Sequence, residues 1–180
     1  MTRRLFFAFW PDEPLRRSLE SARNRLFPLA GRPVAVAGLH VTAAFLGTVN
    51  DTRLTALLAL CGPVPPLTIT LDRLEHWPRP RVLVAASTHL HDDLRLLVDG
   101  LWGRLDRLGF AREARPFRPH VTLARDVRSV REGLPWEPLP WPVARVDLVE
   151  SVSTPEGVVY RAMTAAAAPG FRIAPTASTS

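Results

Sequence analysis

The sequence predicts an α+β fold: two pseudo-symmetric lobes with mainly antiparallel sheets, flanking a central cleft that carries two His-x-Thr strands. Three observations lead to it. Short apolar runs bounded by Gly, Pro, Asn and Asp alternate with stretches whose leucines recur at three- and four-residue steps, so strands and helices are interspersed. The tripeptide His-Val-Thr occurs twice, at 40–42 and 120–122, each time inside an apolar, strand-like run. The order of elements around the two copies is also similar: strand, helix and His-Val-Thr strand first, then helix, hairpin, helix, His-Val-Thr strand and hairpin.

Taken in order, residues 5–9 read as a buried first strand, and Asp12-Glu13-Pro14 opens a helix that runs through Leu15, Leu19 and Leu26. Arg32-Pro33 is a break, and 39–46 is a strand ended by Gly47. Asn50 or Asp51 suits the N-cap of a helix over 52–60, closed by Gly62-Pro63. The alternation of Leu67, Ile69 and Leu71 with Thr68, Thr70 and Asp72 predicts a strand over 67–74, followed by a second at 82–86. Leu94, Leu97, Leu101, Leu105 and Leu108 define a helix over 91–108. The second His-Val-Thr strand covers 117–124. Pro135, Pro138, Pro140 and Pro142 make 133–142 an irregular loop, and 143–152 with 158–164 form a hairpin around Thr154-Pro155-Glu156-Gly157.

At 180 residues and 20.0 kDa the chain suits one two-lobed domain over 1–168, with a small, polar tail over 169–180 expected to be disordered. With 47% hydrophobic residues, wholesale disorder is excluded. The single Cys61 rules out an internal disulfide and fits a reducing cytoplasm. The apolar start after Arg3-Arg4 is too short for a signal peptide and meets Pro11-Asp12-Glu13 at once, and no run approaches a membrane span. A cytoplasmic monomer is the expectation. The net charge is +6, and all 23 basic residues are arginine. GC-rich codons explain most of that bias; a face of bidentate guanidinium groups also permits phosphate or RNA as partner.

In a strand, residues i and i+2 share a face, roughly 7 Å apart. Each copy therefore presents an imidazole and a hydroxyl side by side while Val41 or Val121 packs inward. Two such strands brought together give a metal-free acid/base site of the kind a phosphate ester requires. Histidine, with a pKa of about 6.5, can give or take a proton at neutral pH, and each such transfer is worth on the order of 10²–10⁴ in rate.

The flanks sharpen this reading. His40-Val-Thr-Ala-Ala-Phe-Leu-Gly47 resembles the signature His-x-Thr-Leu-x-Phe-Leu-Gly, and Phe117-Arg-Pro-His-Val-Thr-Leu-Ala-Arg125 resembles a Pro-His-x-Thr-Leu-Ala-Arg strand. The chain thus resembles the two-histidine phosphoesterase superfamily, and within it the bacterial and archaeal RNA 2′,3′-cyclic phosphodiesterases, first named 2′-5′ RNA ligases. The similarity spans roughly residues 4–165, including the opening strand, Pro80 to Leu83, Leu148-Val-Glu-Ser151 and Tyr160. Ala43 stands where the family usually has Leu, a packing adjustment on the far face. The resemblance implies hydrolysis of RNA or nucleotide 2′,3′-cyclic phosphates to 2′-phosphomonoesters. His40 is assigned as general acid and His120 as general base, with the near-symmetry of the sequence leaving the exchange of roles open. Thr42 and Thr122 are assigned to the non-bridging phosphate oxygens. Arg125 and Arg118 are further phosphate-binding candidates. Arg118 shares the face of His120; strand alternation alone puts Arg125 on the opposite face, unless the strand ends or bulges there.

No cofactor and no metal are implied. His89-x-His91 beside Asp92 and Asp93 reads as a solvated helix start, His76 as surface or hairpin packing, and Cys61 as a buried small residue. Trp10 and Phe45 are the aromatics least implausible as base-stacking residues. The expected partner is an RNA end or nucleotide bearing a 2′,3′-cyclic phosphate, with no membrane. Alternatives are 2′-5′ RNA end joining at the same site, another cyclic phosphoesterase such as one acting on an ADP-ribose cyclic phosphate, and a non-catalytic RNA-binding protein.

Overall fold

Val41 and Val121, the middle residues of the two repeats, are paired across neighbouring antiparallel strands at the centre of the fold. The structure is a computed structural model and describes residues 1–26, 31–130, 133–155 and 157–163. Nine strands are described: β1 (Thr2–Phe9), β2 (Arg32–Pro33), β3 (Val41–Asn50), β4 (Gly62–Leu71), β5 (Arg73–Trp77), β6 (Val82–Ala86), β7 (His120–Arg125), β8 (Leu139–Thr154) and β9 (Gly157–Met163). Three α-helices accompany them, α1 (Glu13–Arg25), α2 (Leu54–Leu58) and α3 (Asp92–Arg107). The strand order is β4-β8-β1-β3-β7-β6-β5, with β9 added on β8 and β2 on β7, and every pairing is antiparallel.

The arrangement is pseudo-symmetric about the Val41–Val121 pair. Outward from β3 run β1 and then β8; outward from β7 run β6 and then β5. An antiparallel residue pair is itself a local twofold, so each motif strand sits in the same relation to its own half. The mainly antiparallel α+β architecture agrees with the sequence expectation. The two motif strands, rather than facing one another across a gap, lie side by side and form the floor of the site.

Helix α1 begins where the sequence places it, with the Asp12 carboxylate accepting from the Leu15 N–H at 2.9 Å. Leu15 and Leu19 are buried against the sheet, as are Leu94, Leu97, Leu101 and Leu105 of α3. That burial holds the helices in place; the largest fully buried side chains include Trp141, Phe7, Phe9 and Leu39.

Several boundaries differ from expectation. The helix expected over 52–60 is a single 3-10 turn, Asp51–Arg53, followed by α2 of five residues, although Asn50 does cap it by accepting from Thr52 N–H at 3.0 Å. The strand expected over 67–74 is two strands, β4 and β5, broken at Asp72, whose Oδ1 accepts from both the backbone and the hydroxyl of Thr88. Strand β3 runs past Gly47 to Asn50; Gly47, at φ +71°, sits at a register shift that glycine accommodates without strain. Strand β7 begins at His120, later than the expected 117.

The loop expected over 133–142 ends early, because β8 already starts at Leu139 and pairs Pro140 with Thr70 and Pro142 with Thr68. Two residues apart, both prolines turn their nitrogens to the same edge, and among the described residues this half of β8 pairs with β4 alone. Proline has no ladder donor and is accommodated in a strand where its nitrogen faces an unpaired edge. The tail over 169–180 and the end of the last expected strand at 164 lie outside the described residues.

Candidate active site

The register fixed by Val41–Val121 places His40 beside Thr122 and Thr42 beside His120. Both valines are fully buried, so alternation turns the four polar side chains to the opposite, half-buried face. The histidines then lie on the diagonal of the pair, a Cβ separation of about 7–8 Å or slightly less. Among the described residues neither threonine hydroxyl has a hydrogen-bond partner, which leaves both to face the space between the rings.

Both motif strands bulge immediately after the threonine. Beside β1, Ala8 pairs with Thr42 and Phe7 with Ala44, leaving Ala43 as an extra residue; beside β6, Val84 pairs with Thr122 and Leu83 with Ala124, leaving Leu123 extra. Each bulge shifts the alternation by one. Arg125 is thereby returned to the face of His120 and Thr122, resolving the two placements left open by sequence, and Phe45 is returned in the same way on β3. Ala43 itself is buried, 3% exposed.

Each histidine is held identically. His40 Nδ1 lies 2.7 Å from the carbonyl oxygen of Gly38, and His120 Nδ1 lies 2.7 Å from that of Arg118. A carbonyl only accepts, so Nδ1 carries the hydrogen and Nε2 remains for chemistry. The surroundings differ. His40 is enclosed by Phe6 at 4.9 Å, Tyr160 at 4.8 Å and Trp10 at 5.4 Å between ring centroids, whereas His120 packs on Trp77 at 4.6 Å. Burial pushes His40 down to about 4, the Gly38 carbonyl opposes this, and the positive charges of Arg125 and His120 add to it. Burial also lowers His120, with Arg118 adding to the effect and the Arg118 carbonyl and the charge of Glu75 opposing it.

Two cavities meet at this floor. One, about 480 Å³, is lined by both histidines and both threonines with Arg4, Phe6, Arg125, Ser151, Ser153 and Tyr160. Arg125 Nη2 donates to the Tyr160 hydroxyl at 3.3 Å, and Arg4 lies over the Phe45 ring at 4.9 Å. The other, about 550 Å³, shares His120, Thr42 and Phe45 and extends along Trp77, Arg79, Arg112, Arg115 and Arg118. Arg118 lines this second cavity, but its guanidinium is engaged by Glu75 at 2.7 and 3.0 Å. Of the two arginines expected at phosphate, Arg125 alone borders both imidazoles. Phe45 lines both cavities, while Trp10 packs against His40.

Sequence reasoning did not single out Arg4, Phe6, Glu75, Trp77, Ser151 or Ser153. Ser151 and Ser153 stand two apart on β8 with Tyr160 opposite Ser151 on β9, an alternation that becomes informative only once β8 is known to flank β1. The remaining sequence candidates lie elsewhere. His76 Nε2 is 3.0 Å from the carbonyl of Val127, just past the end of β7 and outside the β5–β6 hairpin, and His91 is the N-cap residue of α3. Cys61 is buried and accepts from the Leu148 N–H at 3.1 Å, and burial pushes its thiol up to about 11. Among the described residues no group of three or more His, Cys, Asp or Glu side chains is placed to hold a metal, and no helix is long and apolar enough to cross a membrane.

Comparison with known proteins finds relatives over most of the chain. The family model for the 2′-5′ RNA ligase superfamily matches residues 11–155. An RNA 2′,3′-cyclic phosphodiesterase of Escherichia coli (strain K12) is 40% identical over 126 residues, 68% of this chain and 72% of its own. One of Thermus thermophilus is 32% identical over 171 residues, 87% of this chain and 86% of its own. The crystal structure of E. coli LigT complexed with 3′-AMP superposes with a TM-score of 0.75 at 33% identity, covering 91% of this chain and 97% of that one.

Proposed function

The chain belongs to the 2′-5′ RNA ligase superfamily, and from that premise we propose that it is an RNA 2′,3′-cyclic phosphodiesterase using His40 and His120 as its acid/base pair. The observation that carries the reading is the diagonal of two imidazoles, each with Nδ1 occupied and Nε2 open, flanked by two unpartnered hydroxyls. Opening a cyclic phosphate needs one proton removed and one supplied on opposite sides of phosphorus, and two side chains of one kind perform both tasks.

In this mechanism the cyclic phosphate sits over Val41 and Val121, its non-bridging oxygens accepting from the Thr42 and Thr122 hydroxyls and from Arg125. These donors stand where negative charge grows in the transition state. His120 Nε2 takes a proton from water as its oxygen bonds to phosphorus. The bond from phosphorus to the ribose 3′ oxygen breaks, and His40 Nε2 gives that oxygen its proton, leaving a 2′-phosphate. Solvent then takes the proton from His120 and returns one to His40. The free site holds a proton on His40 only weakly, so the donor role draws on the charge of the bound phosphate anion, which raises the His40 pKa.

The second cavity favours RNA over a mononucleotide as the larger substrate class. A cyclic nucleotide needs only the space around the histidines, whereas Arg79 and Arg115 of the second cavity have no ion-pair partner among the described residues and are available to a polyanionic chain.

The test is incubation of the protein with a cyclic-phosphate-ended RNA and with a 2′,3′-cyclic nucleotide in EDTA, with phosphorus NMR of the product. Conversion to the 2′-phosphate is expected, with loss of at least about a hundredfold in His40→Ala and His120→Ala. Activity within tenfold of wild type in either variant sinks the two-histidine mechanism. A substrate whose leaving group needs no proton, such as a bridging 3′-thiolate, restores rate to His40→Ala and not to His120→Ala; the reverse pattern exchanges the two roles.

A further inference from the structure

One carboxylate on β5 ties together the surroundings of His120. Glu75 Oε2 accepts from the Trp77 indole N–H at 2.7 Å, both its oxygens accept from Arg118 Nη2 at 2.7 and 3.0 Å, and Arg73 Nε stands 2.7 Å from Oε1. Two of these partners touch His120 directly: the Trp77 ring packs on the imidazole, and the Arg118 carbonyl accepts from its Nδ1–H. The carboxylate is 19% exposed, so its contacts are only partly screened. Burial alone favours its protonated form, but the Trp77 N–H and the Arg118 and Arg73 guanidinium groups outweigh that and hold Glu75 below the usual carboxylate range.

Among the described residues His40 has no counterpart to this device. Its ring is enclosed by Phe6, Trp10 and Tyr160, and the charges acting on it, Arg125 and His120, are both positive. The twofold relation of the motifs therefore breaks at the next layer outward, where one imidazole alone is given a carboxylate.

We propose that Glu75 is the positioning residue of His120: it fixes the Trp77 wall and the Arg118 carbonyl, and its negative charge favours the imidazolium formed when His120 accepts the proton of the attacking water. The proposal rests on the two-histidine reading above. The other charged groups near His120 are Arg118 on its own segment, Arg125 on the same face of β7, His40 just before β3, and Arg4, which lines the same cavity. Arg79, Arg112, Arg115 and Glu113 border the cavity it shares. Of the two carboxylates in this set, Glu113 and Glu75, Glu75 bonds to both residues that hold the ring.

The experiment is a pH series of steady-state kinetics on a 2′,3′-cyclic nucleotide, with NMR titration of the His120 and His40 rings, for Glu75→Gln, Glu75→Asp, Trp77→Phe and His120→Ala in the full chain. For Glu75→Gln we expect kcat to fall about tenfold, the scale of an outer-shell partner of a functional histidine, with KM within twofold of wild type. Its acidic limb of kcat/KM and the His120 titration should both move to lower pH, while His40 stays in place. Glu75→Asp restores the pH position. A wild-type His120 titration in Glu75→Gln, or a change confined to KM, overturns the proposal. Should Glu75→Gln fail to fold, Trp77→Phe decides: it keeps the ring and removes its donor to Glu75, so a severalfold loss of kcat at constant KM supports the proposal and a wild-type kcat overturns it. An active His120→Ala would instead overturn the two-histidine reading itself, and an inactive His120→Ala beside a wild-type Glu75→Gln would remove only the role of Glu75.

Discussion

An imidazole with Nδ1–H committed to a backbone carbonyl has only Nε2 left to exchange protons, and both His40 and His120 are held in that way. Arg125 reaches the same cavity with, among the described residues, only a hydroxyl as hydrogen-bond partner, whereas Arg118 is gripped by a carboxylate. Charged hydrogen bonds of this kind contribute about 1.5–3 kcal/mol. Arg125→Ala is therefore expected to weaken inorganic phosphate or 2′-nucleotide binding by roughly 10–100-fold, and Arg118→Ala by far less, as read by calorimetry. The buried His40 also couples folding to pH. Its folded-state pKa of about 4 lies below the ordinary value of 6.5, so between those values the unfolded chain binds more protons. Stability thus rises with pH through this window and is lost as pH falls from about 6.5 to about 4, by at most about 3 kcal/mol before solvent screening is allowed for. His40→Gln flattens that part of the curve, and urea midpoints measured across the window check it.

The motif strands show what periodicity reveals and what it conceals. The inward valines and outward His and Thr side chains of β3 and β7 follow from alternation, and the leucine spacing of α3 gives that helix to within a residue of each end. A bulge leaves no local trace: Ala43 and Leu123 look like ordinary strand residues, and only the neighbouring strand shows that each is supernumerary. Phe45 and Arg125 could not be placed from sequence for that reason. The Glu75 network was illegible for another, since Arg118 stands 43 residues from it in the chain and no periodicity spans that distance. The proline-rich start of β8 was concealed because a proline is compatible with a strand only when the far edge is empty, which is a fact about neighbours. Trp141 in that stretch is fully buried. Trp141→Ala is expected to cost about 3–5 kcal/mol of stability, with kcat retained at temperatures where the variant remains folded; denaturant unfolding beside kinetics checks both.

Across the whole molecule, positive charge and the two cavities act together. A net charge of +6 carried on arginine draws in any polyanion, but only a substrate long enough to reach Arg79 and Arg115 gains from the second cavity. The KM for a cyclic-ended oligonucleotide is accordingly expected to rise with salt at a log–log slope of about 1.4, two phosphate contacts on a single strand. A cyclic mononucleotide should show a shallower dependence, and Arg79→Ala with Arg115→Ala should bring the two slopes together; equal slopes in the wild type would sink the assignment. The Val41–Val121 pair has one more consequence. The distance between the two imidazoles is set by the spacing of adjacent strands, a constant of peptide geometry that side-chain drift does not alter. Part of the wall of the second cavity is instead supplied by the irregular stretch over 110–117. Diversification can thus proceed by exchanging that stretch, up to but not including Arg118, while the chemistry at the floor is inherited unchanged. The fold separates the choice of guest from the reaction performed on it.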